Sequence, residues 1–236
     1  MADEPVVFEH SRSRIFPDRR AAGRRLADAL IRYASMNPIV LGLPRGGVPV
    51  ADEIARALGG TLDVWVVRKL GVPFHHELGM GAIAEGPAVV IDRSIVRDLG
   101  ISRSELFDVA RREMREVRAR VARFRRGRTM PELAGRVVII VDDGIATGGT
   151  MRAAIRAVRK RRPARLVMAV PVAAPDVIAS LQREVDEVVC LHQPDGLYAI
   201  GLWYEDFRQV PDEDVVRILE RATSARSPTS VVKMPP

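Results

Sequence analysis

The residues best suited to chemistry are two adjacent carboxylates and a small-residue turn that follows them. Asp142 and Asp143 come directly after the apolar run 137–141, Val-Val-Ile-Ile-Val. The turn consists of Ala146, Thr147, Gly148, Gly149 and Thr150. Glycines and hydroxyls at the start of a helix present N–H and O–H donors to an anion, and the helix dipole favours negative charge there. The two acids can accept hydrogen bonds from neighbouring sugar hydroxyls, so the stretch predicts a site for a sugar phosphate.

The elements around this stretch are those that such a site requires. Five β-branched residues at 137–141 are typical of a strand buried on both faces, and residues 151–158 have the apolar spacing of a helix. An ordinary strand-to-helix turn with acids at its start is the alternative interpretation. No Gly-Lys-Ser/Thr follows the glycines, which disfavours a nucleoside-triphosphate P-loop.

Residues 137–150 closely resemble the phosphoribosyl pyrophosphate (PRPP) signature of the type I phosphoribosyltransferases. The resemblance implies an α/β fold, with a parallel twisted sheet, helices on both faces and a small hood. It implies that Asp142, Asp143 and the turn 146–150 bind PRPP. The implied reaction transfers the 5-phosphoribosyl group to a nitrogen of a nucleobase-like acceptor and releases pyrophosphate. Mg²⁺ is the implied cofactor, carried by the phosphates of PRPP and not by protein side chains alone.

A second loop, Leu43-Pro44-Arg45-Gly46-Gly47, also joins a predicted strand to a predicted helix. The Arg45 guanidinium and the amides of Gly46 and Gly47 are donors for phosphate oxygens. An Arg-Gly-Gly turn at the start of a helix is also compatible with no ligand. The loop resembles the pyrophosphate loop of xanthine-type phosphoribosyltransferases, which implies a cis peptide bond between Pro44 and Arg45.

Arg68 and Lys69 end the next predicted strand, residues 62–67. In the family, a basic residue at this place reaches the pyrophosphate, which adds both residues to the predicted pyrophosphate site. Arg45 and Lys69 join Asp142 and Asp143 as the predicted catalytic residues.

Residues 70–85 are rich in glycine and histidine, and we expect a long mobile loop that returns in a short strand. The family folds such a loop over the reacting centre, which excludes water. His75, His76 and Glu77 in this loop invite a zinc interpretation, but no other His or Cys is near in sequence. Contact with PRPP or substrate and a solvated position are the two remaining interpretations.

The acceptor is the least defined part of the prediction. Ala146 stands where the family's oxopurine enzymes commonly carry an acid, which resembles adenine- and uracil-type loops. The candidates for acceptor binding are Ile145, Tyr198, Trp203 and Tyr204. Packing of the hood on the core is the alternative role for the aromatic residues, and no base is assigned.

Composition limits the classes of partner. The 236 residues carry a net charge of +7, and three of the 37 basic residues are lysines, leaving 37 − 3 = 34 arginines. Arginine suits phosphate contacts, so a nucleic-acid partner must be weighed, but many arginines lie beside acids and PRPP is itself highly anionic. No apolar run is long enough for a membrane span, and the single Cys190 fits a reducing, cytoplasmic setting.

The remaining pattern predicts one domain over residues 16–222, including a hood at about 192–211. Residues 1–15 are expected to be irregular, and residues 223–236 to form a disordered tail. A long helix from Ser102 to about residue 126 carries one apolar stripe, which packs either on its own sheet or on the second subunit of an expected homodimer. Two functional alternatives stay open: a non-catalytic PRPP or nucleotide sensor that binds nucleic acid, and a PRPP-cleaving or phosphorolytic enzyme acting on an unusual ring.

Overall fold

The chain alternates strands and helices through most of its length, and the computed structural model describes residues 16–86 and 88–224. The strands are β1 (Ile39–Gly42), β2 (Thr61–Val64), β3 (Val67–Val72), β4 (His75–Ala84), β5 (Ala88–Ile91), β6 (Val137–Val141), β7 (Arg165–Val172) and β8 (Glu187–His192). The α-helices are α1 (Arg19–Ala29), α2 (Gly47–Ala57), α3 (Arg93–Asp98), α4 (Arg103–Arg125), α5 (Gly149–Arg159), α6 (Pro175–Leu181) and α7 (Asp212–Ser224). Short 3₁₀ helices cover Ile31–Met36 and Ile200–Trp203.

A five-stranded parallel sheet in the order β2-β1-β6-β7-β8 forms the centre of the fold. Alternate residues of the apolar strands enter two separate cores. One core contains residues of α1, α2, α4 and α7, and the other contains residues of α5 and α6. The predicted doubly covered parallel sheet is therefore confirmed. Parallel strands place their carboxyl ends at one edge, where the loops after β1 and β6 become neighbours.

Two details of the predicted strands were wrong. The predicted strand 62–67 is interrupted at Trp65 and Val66, and the predicted mobile loop 70–85 forms most of a β-hairpin made by β3 and β4. With β5 this hairpin makes a separate antiparallel sheet. The alternation of buried and exposed residues that indicates a strand is weak in this glycine-rich segment. Among the described residues of 70–81, the fully buried side chains are only Leu70, Val72 and Met80.

The long helix α4 begins with a capping box. The Ser102 hydroxyl accepts from the Glu105 N–H at 3.2 Å, while the Glu105 carboxylate accepts from the Ser102 N–H at 2.9 Å. Its buried side, including Val109, Val117 and Phe124, packs on the hairpin and α7 of the same chain. The apolar stripe thus covers the chain's own antiparallel sheet.

A buried ion network fixes the end of α4 to both sheets. The Arg125 guanidinium donates to Asp63 at 3.0 Å and to Glu85 at 2.7 Å, and it also donates to the carbonyl of Val64. Burial raises the pKa of both Asp63 and Glu85, and the arginine charge acts in the opposite direction.

The predicted irregular segment 1–15 lies outside the described residues, as do residues 225–236 of the predicted tail. Thr223 and Ser224, assigned to that tail, form the end of α7. Within 16–86 and 88–224, no helix has both the length and the apolar character needed to cross a membrane.

Candidate functional site

The acidic pair and the arginine-glycine loop touch each other at the carboxyl edge of the parallel sheet. Because β1 and β6 are paired with Gly42 opposite Val141, the loops that follow them run side by side. A Cβ added to Gly46 would lie 1.9 Å from Asp143 Oδ2, and one added to Gly47 would lie 2.5 Å from the carbonyl oxygen of Val141. The two glycines therefore allow a contact between loops that any side chain would prevent.

The two carboxyl groups have different surroundings. Burial, together with the negative charge of Asp143, raises the pKa of Asp142 well above its ordinary value. Asp142 Oδ1 accepts from the backbone N–H of Asp143 at 2.9 Å. Asp143 Oδ2 instead accepts from Arg19 Nε at 2.7 Å, in an ion pair whose side chains are 11% and 14% exposed. Asp143 is thus charge-paired, and Asp142 is the acid that lacks a hydrogen-bonded cation among the described residues.

Arg19 is a site residue that sequence reasoning missed. Its guanidinium also donates to the carbonyl of Arg208 at 2.9 Å and lies 3.9 Å from the centre of the Phe207 ring. Tyr204 completes the arrangement, since its hydroxyl donates to the Asp143 carbonyl at 2.6 Å and its ring stacks on Phe207. Burial raises the pKa of the Tyr204 hydroxyl, which keeps it a donor. Arg19 and Asp143 are 124 positions apart, and no local pattern links them.

The predicted phosphate turn opens α5 in the required way. Gly148 has φ 75°, in the left-handed region, and a Cβ there would lie 2.8 Å from Val177 Cγ1. Gly149 has open space around its Cα, and no side chain caps the helix. Thr147, Gly149 and Thr150 are exposed and line a cleft of about 730 Å³. Backbone donors at the N-terminus of α5 are therefore accessible to an anion.

Arg68 and Lys69 lie on opposite faces of β3. Lys69 lines the cleft beside Thr147 and Thr150, and its chain passes over Gly79, where a Cβ would be 2.6 Å from Lys69 Cε. Arg68 turns to α4, where Nη2 donates to Glu113 Oε2 at 2.8 Å. Successive side chains on a strand alternate, so one of the two predicted basic residues joins the phosphate turn and the other does not.

Arg45 and Arg68 both approach α4, since Arg68 pairs with Glu113 of that helix and Arg45 shares Asp212 with Arg123. The peptide bond between Pro44 and Arg45 is cis, as the resemblance implied. Arg45 Nη1 lies 3.5 Å from Asp212 Oδ1 at the start of α7.

The four residues predicted to contact the acceptor do not form one surface. Ile145 and Tyr204 are buried, 4% and 6% exposed, and Trp203 stacks on His192. Tyr198 is 93% exposed. The hood reaches the loop after β6 through Ile200, since a Cβ added to Gly144 would lie 2.5 Å from Ile200 Cγ2.

His75 begins β4 and is exposed, whereas the side chains of His76 and Glu77 fall outside the described set. In the part of the chain that the structure describes, no three His, Cys, Asp or Glu side chains come together as a metal site.

An acidic pair and a glycine-threonine turn follow β6, and the arginine-glycine loop follows the neighbouring strand β1, which is the arrangement expected in the class of proteins that handle phosphorylated pentoses. Residues 14–194 match the family model described as the phosphoribosyl transferase domain, and the chain belongs to this family. The resemblance seen in the sequence is thereby confirmed.

The relatives agree with this assignment. A Mycobacterium tuberculosis protein named "Putative phosphoribosyl transferase" is 46% identical over 209 residues, 89% of this chain and 47% of the relative. The chain thus spans about half the length of the curated relatives it matches first. The crystal structure of TT1426 from Thermus thermophilus is 46% identical, with a TM-score of 0.77 over 88% of this chain and 98% of that one. A uracil phosphoribosyltransferase of Aquifex aeolicus is 32% identical over 104 residues, 44% of each chain.

Proposed function

We propose that the protein transfers the 5-phosphoribosyl group of PRPP to a nitrogen of a nucleobase-like acceptor. One observation carries the proposal: Asp143 lies against Gly46, so the ribose-type acids and the pyrophosphate-type loop form one continuous site beside the open N-terminus of α5. The 5′-phosphate binds the turn 147–150, the ribose hydroxyls face Asp142 and Asp143, and the pyrophosphate lies toward Arg45.

The protein's own part in this reaction is to position the reactants and stabilise charge. The acceptor nitrogen forms a bond to the anomeric carbon while the bond from that carbon to the pyrophosphate oxygen breaks with its electron pair. Positive charge develops on the ribose, and the carboxylates of Asp142 and Asp143 stabilise it electrostatically. Because burial and Asp143 raise the pKa of Asp142, a nearby cationic charge favours its ionised form.

The site's chemistry fits a hard cation that arrives with the substrate. Carboxylate oxygens are ligands that Mg²⁺ accepts, and the described residues offer this pair without a third acid, His or Cys in a metal cluster. Asp142 and Asp143 are thus the residues that would face Mg²⁺, with substrate phosphates supplying the other oxygens. Bound in this way, Mg²⁺ would neutralise part of the negative charge on the leaving group.

The antiparallel sheet forms one wall of the cleft at the phosphate end. The 730 Å³ cleft lies between the turn before α5 and the β3–β4–β5 sheet, with Lys69 and Gly79 on its far side. A developing ribosyl cation reacts with water, so a wall on this side protects the transfer once the substrate fills the cleft. Lys69 adds positive charge to this cleft, on the side away from Arg68.

For the acceptor, the observations favour a planar ring without naming a base. Ala146 is exposed and places no acid beside the turn. The uracil phosphoribosyltransferase similarity is compatible with this feature but extends over less than half of the chain. Tyr198 is the exposed aromatic side chain of the hood, where it can stack on such a ring.

Calorimetric titration of PRPP with MgCl₂, followed by a screen of bases for pyrophosphate release, tests the proposal. Ribose 5-phosphate and inorganic pyrophosphate serve as part-substrates, and ATP as the control polyphosphate. We expect PRPP to bind at micromolar concentration, more tightly than ATP, and one class of base to release pyrophosphate. Absence of PRPP binding, or affinity no better than that for ATP, would contradict the proposal.

A further inference from the structure

Helix α4 carries charged residues on one side, which reaches Arg68 of β3 and Asp212, the acid that Arg45 contacts. Glu113 and Arg120 are seven residues apart, which is nearly two helical turns, and Arg123 follows Arg120 by three residues, less than one turn. All three therefore lie along that side. Glu113 holds Arg68 at 2.8 Å, near the middle of the helix. Arg123 Nη1 lies 2.5 Å from Asp212 Oδ2, and the same carboxylate contacts Arg45. Arg120 therefore lies between Glu113, which binds Arg68, and Arg123, which shares Asp212 with Arg45.

Arg120 has no counterpart to these pairs. It is half-buried, and it makes no hydrogen bond or ion pair with another residue of the described segments 16–86 and 88–224. Burial lowers the pKa of its guanidinium, and the like charges of Arg68 and Arg45 lower it further. Asp212 and Glu116 oppose this shift only in part. A half-buried cation beside two other cations is unfavourable unless an anion joins them.

The acids nearby are already shared. Glu113 contacts both Arg68 and Arg112, and Asp212 contacts both Arg45 and Arg123. The Arg45–Asp212 contact, at 3.5 Å, is longer than an optimal charge-assisted hydrogen bond. A ligand with several phosphate oxygens can therefore recruit Arg45 while Asp212 keeps its closer partner, Arg123.

We propose that Arg120 of α4 binds the pyrophosphate group, as the third guanidinium of a subsite formed with Arg45 and Arg68. The inference rests on the proposed function, since it assigns the leaving group to this side of the site. It also separates the two ends of PRPP: Lys69 serves the phosphate turn, whereas the three arginines serve the pyrophosphate. Glu116 and Arg120 are four positions apart, which by itself predicts only a pair on the helix surface and does not place Arg120 beside Arg45.

The test compares the affinities of Arg120→Met and Arg120→Lys for inorganic pyrophosphate and for ribose 5-phosphate, both with MgCl₂, by calorimetry. Arg111→Met is the matched control, because Arg111 is an exposed arginine of the same helix without a partner in the described part of the chain. We expect Arg120→Met to weaken pyrophosphate binding at least about 10-fold, since a charge-assisted hydrogen bond contributes more than a neutral one. Ribose 5-phosphate affinity should stay unchanged, Arg120→Lys should be intermediate, and Arg111→Met should match the wild type.

Three outcomes would overturn the inference, and they differ in what else they affect. Wild-type pyrophosphate affinity in Arg120→Met, together with a loss in Arg45→Met, removes Arg120 from the subsite and leaves the proposed function intact. An equal loss of both ligands in Arg120→Met, accompanied by a lower melting temperature, shows a structural role for Arg120. If the wild type binds neither PRPP nor its two part-substrates, the proposed function fails and the inference fails with it.

Discussion

Gly46→Ala is the perturbation that tests the contact between the two substrate loops most directly. In the native geometry the new Cβ would lie 1.9 Å from Asp143 Oδ2 and 2.5 Å from Asp143 Cγ. Carbon and oxygen atoms that are not bonded to each other need more than about 3 Å, as van der Waals contact lies near 3.5 Å. Asp143 must therefore move its carboxylate by roughly 1 Å or more, or the loop 43–47 must shift by the same amount.

Movement of Asp143 has a cost that follows from its partner. Arg19 Nε donates to Asp143 Oδ2 at 2.7 Å, and both side chains are largely buried. Loss of a hydrogen bond to a charged group costs about 1.5–3 kcal/mol. For a domain of this size each kcal/mol lowers the melting temperature by about 2–4 °C, so we expect a decrease of roughly 3–12 °C. A displacement near 1 Å at a reacting site can reduce activity by about 100-fold, and a loss of that order is expected here.

Two other alanine substitutions separate the possible causes. Gly149 has open space around its Cα, so Gly149→Ala should preserve the melting temperature and weaken PRPP binding by obstructing the phosphate turn. Gly196 is distant from both loops in sequence, and its Cβ would meet Tyr198 at an ordinary 3.5 Å, so Gly196→Ala should change neither property. Melting curves and PRPP titrations of the three variants give the comparison.

Wild-type PRPP affinity and melting temperature in Gly46→Ala would refute this reasoning. That result would mean that Asp143 can leave its position against Gly46 without consequence, and that the two loops do not act as one site. A lower melting temperature with unchanged PRPP affinity would show that the contact stabilises the fold and does not contribute to PRPP binding.

Three further predictions concern the acid pair, the buried network and the cysteine. The pKa of Asp142 is raised in the folded state, so ionisation of this acid reduces stability as the pH rises above the unfolded value near 4. Asp142→Asn should therefore raise the melting temperature at pH 8, show no such gain near pH 4, and weaken PRPP binding. A lower melting temperature at pH 8 would contradict this expectation. Arg125→Met leaves the buried acids Asp63 and Glu85 without their cation, and should lower the free energy of unfolding, measured in urea, by about 3–5 kcal/mol. Arg97→Met, on the surface, should change it little. Equal effects of the two substitutions would refute a stabilising role for the buried network. Burial raises the pKa of Cys190 to about 11, which lowers its thiolate fraction near pH 8 roughly 100-fold. Its reaction with Ellman's reagent should therefore be slow in the folded protein and fast in urea. Equal rates would show that the thiol is accessible in the folded protein.

Local patterns in the sequence predicted the parallel sheet and the phosphate turn because each is encoded by neighbouring residues. The β-branched run at 137–141 forms β6, and the glycines after it begin α5. Ser102 and Glu105 form the capping box of α4, which is a signal contained within four residues. Such features depend on backbone geometry within one or two turns, so the sequence alone specifies them.

The parts that could not be predicted depend on contacts between distant segments. The hairpin β3–β4 contains three glycines and one fully buried methionine, so the alternation of apolar and polar residues in its strands is weak. Its buried side chains are identified by their packing against α4. Arg19 and Asp143 come together because α1 and the loop after β6 meet at the hood. The opposite directions of Arg68 and Lys69 follow from the start of β3 at Val67, the residue at which the predicted strand ends.

The Arg19 contacts connect the acid pair to the part of the chain that would receive the acceptor. Arg19 binds Asp143 and stacks on Phe207, while Tyr204 stacks on Phe207 and donates to the backbone of Asp143. The hood and the acid pair are therefore held by the same three side chains. A change in hood position on acceptor binding must alter the position of the Asp143 carboxylate, or break the Arg19 ion pair that orients it. Since the same carboxylate lies against Gly46, the effect extends to the pyrophosphate loop. Acceptor and PRPP affinities should thus be thermodynamically coupled through Asp143, and by reciprocity each ligand should change the affinity of the other by the same factor.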